Sequence, residues 1–314
     1  EIERMKPKFF CGRSNPAFGQ AVAKYLDIEL GKMTIKPFSD GELWIRFDEN
    51  IRGEDVFIIQ STNPPDTNMI ELLLMMDAAK RASARRVTAV IPYYGYARQD
   101  RKDQPRVPIS AKLFADLIQT AGADRVVSMD LHSSQIQGYF NIPFDHLYSK
   151  KVLVGAIKDL GLDNMVVLAP DIGSVPMSRS YAKLLDASLA IIDKRRPEHN
   201  KAEVMHLIGK VGAKNVLIMD DMVDTAGTMV AAAKKARAMG ALSVNAAVTH
   251  GVLSGPAIRR LSKAPIDRIL VTDTINIDPK KRIEKLKSIS VAPVFGEAIQ
   301  RIHNEESISV LFDV

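Results

Sequence analysis

The chain has 314 residues, and 43 Lys and Arg residues against 37 Asp and Glu residues give it a formal charge of +6. This length accommodates one large or two medium domains, and a composition of 46% hydrophobic and 25% charged residues excludes extended disorder, collagen-like repeats and a coiled coil. The charge excess is mild and the aromatic residues do not interleave with a basic stripe, so we expect no nucleic-acid binding.

Cysteine usage and the lengths of apolar runs restrict the class of protein further. Cys11 is the only cysteine, which excludes an internal disulfide and a cysteine-rich metal site. The first residues contain no apolar segment typical of a secretory leader, and no run approaches the roughly 18 apolar residues that cross a membrane. We therefore expect a cytoplasmic protein with no membrane partner.

In the first half of the chain, short β-branched runs alternate with stretches of helical spacing. Strands are predicted at 55–60, 87–91 and 126–129, and helices at 69–81 and 110–120. Ser110 is expected to cap the second of these helices at its N-terminus, and Gly122 lies just beyond its end.

The second half of the chain repeats this alternation. Strands are predicted at 166–168, 189–192, 216–219, 244–248 and 269–271, and a helix over 228–239 ends at Gly240. Strands that are apolar throughout and alternate with helices are typical of a parallel sheet covered on both faces. We therefore predict an α/β fold of two tandem doubly wound domains, spanning residues 1–148 and 149–314.

Several common motifs are absent from the sequence. It contains no G-x-G-x-x-G fingerprint, no Walker A loop, no Gly-x-Ser-x-Gly elbow and no His-Glu-x-x-His pair. Their absence disfavours a Rossmann dehydrogenase, a P-loop kinase, a serine hydrolase and a zincin. If this chain binds a phosphate or another anion, it must do so through a loop other than these motifs.

The informative residues are those that follow each strand, because open α/β sheets bind ligands at the carboxyl ends of their strands. Strand 216–219 is followed by Asp220-Asp221-Met222-Val223-Asp224-Thr225-Ala226-Gly227-Thr228 and then a helix. The N–H groups and dipole of the helix favour a phosphate, and two carboxylates accept hydrogen bonds from vicinal hydroxyls, so a phosphorylated ribose suits both features. The alternative is that the Asp residues only cap the helix, but capping needs one acid.

This loop resembles the phosphoribosyl-diphosphate-binding loop shared by type I phosphoribosyltransferases and ribose-phosphate pyrophosphokinases. Further motifs are similar to those of the pyrophosphokinases, in family order: Phe38-Ser-Asp-Gly-Glu42, Tyr96-Ala-Arg-Gln-Asp-Arg-Lys102, Asp130-Leu-His132 with Gln135-Ile-Gln-Gly138, and Ile191-Ile-Asp-Lys-Arg-Arg-Pro197. The resemblance runs from about Phe9 to Phe312. It implies two phosphoribosyltransferase-like domains, each a mainly parallel sheet flanked by helices.

The resemblance also implies the reaction and the residues that bind its substrates. In the family, the diphosphoryl group of ATP passes to the 1-hydroxyl of ribose 5-phosphate, which gives 5-phosphoribosyl 1-diphosphate and AMP for nucleotide biosynthesis. The positions that match the ATP site are Phe38, Asp40, Gly41, Glu42, Arg98, Gln99, Asp100 and Lys102. The positions that match the ribose 5-phosphate site are Arg196, Asp220, Asp221, Asp224, Thr225, Ala226, Gly227 and Thr228. Without the resemblance, the charged run 98–102 would be interpreted as a solvated loop.

The resemblance assigns a metal site and a catalytic loop as well. His132 and Asp171 each follow a strand and match positions that bind Mg²⁺, although magnesium prefers oxygen, so a water-mediated or a structural role for His132 stays open. Lys194 and Arg196 match residues that stabilise charge on the departing AMP, on a loop at 194–201 that closes over the substrates. The alternative for this loop is an exposed basic turn.

The family is usually homohexameric, and the segment around Asp40 reaches the ATP site of a neighbouring subunit. Many members are regulated by phosphate and ADP at a subunit interface, and the matching positions here are Arg52, Arg106, Ser307 and Ser309, with Asn50 where some relatives have Ser. Two departures lie near the predicted sites: Ser174 stands where Gly is more common, and Met177 stands where many relatives have Arg.

Two alternatives remain open on the sequence. A type I phosphoribosyltransferase shares the Asp-Asp loop but does not need the ATP segments at Asp40 and Arg98. A non-catalytic homologue that regulates active subunits would carry altered lid or metal positions, whereas the matching residues are all in place here: His132, Asp171, Lys194 and Arg196.

Overall fold

The computed structural model describes residues 6–195 and 204–312. Its internal contacts divide the chain into two compact units. The first comprises the chain up to Tyr148 together with Thr274–Asn276 and the segment from Val291, and the second comprises Ser149–Asp273 and Ile277–Ser290.

The first unit contains a five-stranded parallel sheet and a separate two-stranded hairpin. In chain order its elements are β1 (Lys8–Cys11), α1 (Pro16–Tyr25), β2 (Met33–Pro37), β3 (Leu43–Phe47), β4 (Asp55–Ile59), α2 (Thr67–Arg81), β5 (Arg86–Ile91), α3 (Ser110–Thr120), β6 (Arg125–Met129) and β7 (Phe144–Leu147). The sheet order is β1-β4-β5-β6-β7 with all neighbours parallel, and β2 pairs with β3 antiparallel.

The second unit is built on a seven-stranded sheet. Its elements are α4 (Lys150–Lys158), β8 (Met165–Ala169), α5 (Val175–Leu184), β9 (Ser188–Arg195), β10 (Val204–Ile208), β11 (Asn215–Val223), α6 (Gly227–Ala238), β12 (Ser243–Gly251), α7 (Ala257–Lys263), β13 (Arg268–Thr272) and β14 (Leu286–Ile289). The order is β10-β9-β8-β11-β12-β13-β14, and all neighbours are parallel except the β9–β10 pair. The sheet therefore places β11 at its centre, between β8 and β12.

The last helix, α8 (Ala292–His303), belongs to the first unit, whereas the sequence analysis assigned its residues to the second domain. Phe295 contacts Phe18 of α1 edge to face, with ring centroids 5.4 Å apart. Tyr25 at the end of α1 donates a hydrogen bond to Glu297 at 3.2 Å. Through these two contacts, one apolar and one polar, the last helix of the chain packs against the first.

A buried carboxylate fixes the end of α8 to the N-terminal ends of β4 and β5. Asp55, at the start of β4, is 2% exposed and accepts two hydrogen bonds from Arg86, at 2.8 and 2.5 Å. His303 Nδ1 lies 2.8 Å from the same carboxylate, and Arg86 also donates to the carbonyl oxygen of Ile302 at 3.1 Å. Moving the end of α8 away would leave buried polar groups without partners, which is energetically costly. These contacts therefore hold the helix in one position.

The structure confirms the predicted α/β class with mainly parallel sheets flanked by helices, and every strand and helix predicted from the sequence is present. The prediction that Ser110 caps α3 is wrong. Ile109 occupies the cap position and Ser110 is the first helical residue, with its hydroxyl donating to Gln99 Oε1 at 2.7 Å and not to the backbone of the helix. None of the helices in the described ranges has the length and apolar character needed to cross a membrane.

Candidate active site

The predicted phosphate loop joins the central strand of the second unit to a helix. β11 continues to Val223, four residues beyond the predicted strand end, so Asp220 and Asp221 lie within the strand. Ala226 then adopts a left-handed conformation (φ 62°) at the cap position, where its own side chain makes no capping hydrogen bond, and α6 begins at Gly227. The first N–H groups of a helix have no partner within the helix, so this end of α6 suits an anion.

Residues that follow β12 hold the loop in place. Leu253 N donates to Val223 O at 3.0 Å, and Ser254 N donates to Asp224 O at 3.1 Å. The Ser254 hydroxyl also donates to the Asp224 carboxylate. The sequence analysis did not identify Ser254, because its role depends on the neighbouring parallel strand and not on any local motif.

A carboxylate cluster lies beside the loop. Burial raises the pKa of Asp220 to about 8, and the nearby charges of Asp221 and Asp171 add to this increase, as does a hydrogen bond with Asp221. Asp171 follows β8, the strand paired with β11, so the sheet brings together acids that are about 50 residues apart in sequence. The structure thus places Asp171 with Asp220 and Asp221, which the sequence analysis assigned to different ligands.

Ser174 fixes the position of Asp171. Its backbone N–H donates to Asp171 Oδ1 at 3.0 Å, and its hydroxyl donates to the Asp171 carbonyl oxygen at 2.9 Å. Ser174 is 6% exposed. The departure noted from the sequence therefore has a structural role, since the serine closes the turn that presents the carboxylate.

In the first unit, the segment after β5 carries the predicted ATP residues. Arg98 and Gln99 are exposed, and the Gln99 carbonyl oxygen accepts a hydrogen bond from Ala111 N at 3.2 Å. The hydroxyl of Tyr139 donates to the Asp100 carbonyl oxygen. Lys102 is exposed as well. These contacts tie the segment to the start of α3 and to the 3-10 helix at Ser134–Tyr139.

The other predicted ATP residues form the tip of the β2–β3 hairpin. Phe38, Asp40, Gly41 and Glu42 are all exposed, and the Asp40 carboxylate accepts a hydrogen bond from Glu42 N at 3.0 Å. Gly41 has a φ of 96°, a conformation that glycine adopts without strain. The tip therefore presents one aromatic and two acidic side chains to solvent.

The predicted metal residue His132 follows β6 in the first unit and is exposed. Leu131 N donates to Nε2 of the buried His146 at 3.0 Å, and Nδ1 of that histidine lies 3.2 Å from Gln137 Nε2. His146, on β7, thus supports the loop that presents His132, and sequence motifs alone did not identify it. Within the described ranges, no group of three or more His, Cys, Asp and Glu side chains is arranged to hold a metal ion.

Only part of the predicted catalytic loop is described. Lys194 lies near the end of β9, with its backbone paired opposite Met205 of β10. Arg196 and most of the predicted lid lie outside the described residues.

The predicted regulatory residues lie in the first unit and are exposed: Arg52, Arg106, Ser307 and Ser309. The hydroxyl oxygens of Ser307 and Ser309 are 2.9 Å apart, and Arg301 donates to the Ser307 carbonyl oxygen at 3.2 Å. Asn50 Oδ1 accepts a hydrogen bond from Arg52 N at 3.1 Å.

Comparison with known proteins gives matches over nearly the whole chain. Residues 7–122 match a family model described as the N-terminal domain of ribose phosphate pyrophosphokinase, and residues 194–313 match one described as a phosphoribosyl synthetase-associated domain. A ribose-phosphate pyrophosphokinase of Chlorobaculum tepidum is 53% identical over 307 residues, covering 98% of this chain and 95% of the relative. One of Caldanaerobacter subterraneus is 54% identical, covering 97% of each chain. The crystal structure of phosphoribosylpyrophosphate synthetase from Mycobacterium smegmatis superposes with a TM-score of 0.91 at 42% identity, covering 96% of this chain and 100% of that one.

Proposed function

Since the chain belongs to the ribose-phosphate pyrophosphokinase family of enzymes, as its motifs predicted, we propose that it transfers the diphosphoryl group of ATP to ribose 5-phosphate. In this reaction the 1-hydroxyl oxygen forms a bond to the β-phosphorus, the bond from that phosphorus to the α,β-bridging oxygen breaks, and the hydroxyl proton is lost. The products are 5-phosphoribosyl 1-diphosphate, for nucleotide biosynthesis, and AMP. The observation that carries the proposal is the β11–α6 connection, where two carboxylates precede a loop of small residues and a helix N-terminus.

Ribose 5-phosphate is assigned to this connection. Asp220 and Asp221 accept hydrogen bonds from the ribose hydroxyls, and the 5-phosphate receives them from the segment that opens α6. The phosphate-binding residues are Asp224, Thr225, Ala226, Gly227 and Thr228. The hydrogen bonds from Ser254 keep the loop in one conformation before the substrate arrives, which reduces the entropy lost on binding.

ATP is assigned to residues of the first unit. Arg98 and Lys102 carry the positive charge that phosphate oxygens require, and Arg98 offers the planar fork of a guanidinium. The hairpin tip supplies adenine contacts to a neighbouring subunit of a homohexamer. The residues assigned to ATP are Phe38, Asp40, Gly41, Glu42, Arg98, Gln99, Asp100 and Lys102.

The residues present suit a magnesium ion bound together with phosphate. Burial is the main cause of the raised pKa of Asp220, and repulsion from Asp221 and Asp171 adds to it; a divalent cation would relieve that repulsion. Magnesium is usually bound by one or two carboxylates plus substrate phosphates and water, and not by an all-protein cage. We assign Asp171 to direct binding and His132 to a contact through water. The ion would neutralise charge on the phosphate oxygens.

Two cations of the predicted lid are assigned to charge stabilisation during transfer. Diphosphoryl transfer requires little covalent chemistry from a protein, and its rate depends on positive groups near the non-bridging oxygens as AMP departs. Lys194 and Arg196 have this role in the proposal. Phosphate and ADP regulate the enzyme at Arg52, Arg106, Ser307 and Ser309.

The deciding experiment measures nucleotides released from Mg-ATP with and without ribose 5-phosphate, in buffer that contains free phosphate. We expect AMP, no ADP, and a strict requirement for the sugar. AMP without the sugar, or ADP in its place, would contradict diphosphoryl transfer. A folded chain that released no AMP would contradict the proposal in favour of a non-catalytic homologue or a phosphoribosyltransferase.

A pair of variants tests the assignment of the sugar. Asp221→Asn should raise the KM for ribose 5-phosphate at least about tenfold, because hydrogen bonds to a charged group contribute roughly 1.5–3 kcal/mol. The KM for ATP should change less than about twofold. The control is Asp159→Asn, which removes an exposed acid of the second unit and should leave both values unchanged. Equal KM values for ribose 5-phosphate in the two variants would show that Asp221 does not bind the sugar.

A further inference from the structure

The segment that follows β12 holds three successive carbonyl groups of the phosphate loop. Backbone N–H groups of this segment donate to the carbonyl oxygens of Val223 and Asp224, at 3.0 and 3.1 Å. The carbonyl oxygen of Thr225 accepts instead from a side chain of α7, Arg260 Nη1, at 3.1 Å. Arg260 is therefore the donor that a side-chain substitution removes without altering the loop itself.

The direction of these carbonyl groups determines where the N–H groups of the loop point. The peptide bonds of the loop are trans, and in a planar trans peptide the C=O group and the following N–H group point in opposite directions. The N–H groups of Thr225 and Ala226 therefore point away from the segment that holds the carbonyls. Neither donates a hydrogen bond to an atom of residues 6–195 or 204–312. Both are available to a ligand on the opposite side of the loop.

The contact from Arg260 acts beside a residue in an unfavourable backbone conformation. Ala226 has a φ of 62°, and a residue with a Cβ keeps such a conformation only where its surroundings hold it. The hydrogen bond from Arg260 fixes the peptide group between Thr225 and Ala226. It thus stabilises a loop conformation that the local sequence does not favour.

The charge of Arg260 lies next to the start of α6. A methyl group added at the Cα of Gly227, the first residue of this helix, would lie 3.4 Å from Arg260 Nη1. The N-terminus of a helix carries a partial positive charge, so a cation beside it is electrostatically unfavourable in the absence of an anion. An anion bound at the helix start is attracted to both. The location of Arg260 therefore suits a bound phosphate better than it suits the helix alone.

We propose that Arg260 is a positioning residue for the 5-phosphate of ribose 5-phosphate. By holding the carbonyl oxygen of Thr225, it orients the N–H groups that receive the phosphate, and its charge adds to their attraction. An oriented loop loses less entropy when the substrate binds. This role rests on the proposed function, which assigns ribose 5-phosphate to the loop.

The test is the Kd for ribose 5-phosphate, measured by isothermal titration calorimetry with Mg²⁺ and α,β-methylene-ATP. In this analogue a carbon replaces the α,β-bridging oxygen, so no transfer occurs during the titration. Arg260→Met removes the guanidinium and keeps an unbranched apolar stem, and Arg260→Lys keeps the charge on a slightly shorter side chain. The matched control is Arg259→Met, which removes the same charge from the preceding, exposed position of α7. The Kd for the ATP analogue is measured for every variant, and circular dichroism checks that each is folded.

We expect Arg260→Met to raise the Kd for ribose 5-phosphate at least about tenfold, because a charge-assisted hydrogen bond and the loop conformation that it holds are lost. Arg260→Lys should recover part of this loss. Arg259→Met should change the Kd less than about twofold, because an exposed charge without a defined contact contributes little. The Kd for the ATP analogue should change less than about twofold in all three variants, whereas a general loss of structure would weaken both ligands.

Three results would overturn the role of Arg260: equal Kd values for the sugar in Arg260→Met and Arg259→Met, an equal loss of affinity for the sugar and the ATP analogue, or no recovery in Arg260→Lys. A wild type that did not bind ribose 5-phosphate would contradict the proposed function itself, and the role of Arg260 with it. A wild type that binds the sugar no more tightly than Arg260→Met would contradict the role of Arg260 alone.

Discussion

The carboxylate of Asp55 is expected to be a major source of stability in the first unit. Replacing it in Asp55→Ala removes both hydrogen bonds to Arg86 and the contact with His303. The Arg86 side chain is 24% exposed, so its charge would be left largely unpaired and poorly solvated. Breaking a buried ion pair on one side costs roughly 3–5 kcal/mol, and the residual exposure of the guanidinium places the expected loss near the lower end, at about 3 kcal/mol.

Trp44 provides the assay, because it is the only tryptophan and lies on β3 of the first unit. Its fluorescence during urea unfolding follows that unit specifically. The matched control is Asp77→Ala, which breaks the exposed pair with Arg81, where both side chains are at least half exposed. Exposed pairs contribute roughly 0–1 kcal/mol, so the control should unfold close to the wild type. If Asp55→Ala lost no more stability than the control, the buried network would not hold α8 as described.

Three further predictions follow from single positions. Lys194→Ala should lower turnover about 10²–10³-fold with an unchanged circular dichroism spectrum, and wild-type turnover would remove Lys194 from the mechanism. Gly95→Ala should destabilise the first unit by more than about 2 kcal/mol in the fluorescence assay, because the added methyl group overlaps the Thr62 carbonyl oxygen, whereas Gly138→Ala meets open space and should cost less than about 1 kcal/mol. The raised pKa of the half-buried Cys11 should make its alkylation at pH 8 about 10³-fold slower than that of a free thiol, and urea should restore the rate. Fast alkylation of the folded chain would contradict the raised pKa.

The inner parallel strands were predictable from the sequence because each is apolar on both faces, whereas the edge strands β1, β7 and β14 were not predicted. The packing around the strands was not predictable either. α2 illustrates the reason: Ile70 and Leu74 are 49% and 37% exposed, whereas Leu72 and Met76 are fully buried. Apolar residues surround this helix, so their spacing identifies a helix and not its buried face. The place of α8 was beyond prediction for a related reason, since a stripe of apolar residues does not identify α1 as the element that it packs against.

For the candidate site, the sequence predicted the strand–loop–helix that carries Asp220 to Thr228, because strand, small residues and helix are contiguous there. It missed Ser254 and His146, whose partners lie on other elements and whose neighbours form no motif. The end of β11 was also missed, because pairing with β12 extends the strand through acids whose type alone suggests a loop. The spacing of residues along the chain predicts structure that forms within one segment. The residues that support this site come from segments that are distant in sequence.

The packing of α8 against α1 has a consequence for synthesis on the ribosome. The first unit cannot acquire its last helix when its sheet emerges, because the chain from Tyr148 to Ala292 must be translated first. At 5–20 residues per second this interval is roughly 7–30 s. During that time Phe18 and the carboxylate of Asp55 lack partners that the finished protein provides. The nascent first unit is therefore an incomplete structure that exposes apolar surface, and we expect it to be a substrate for chaperones until the chain is released.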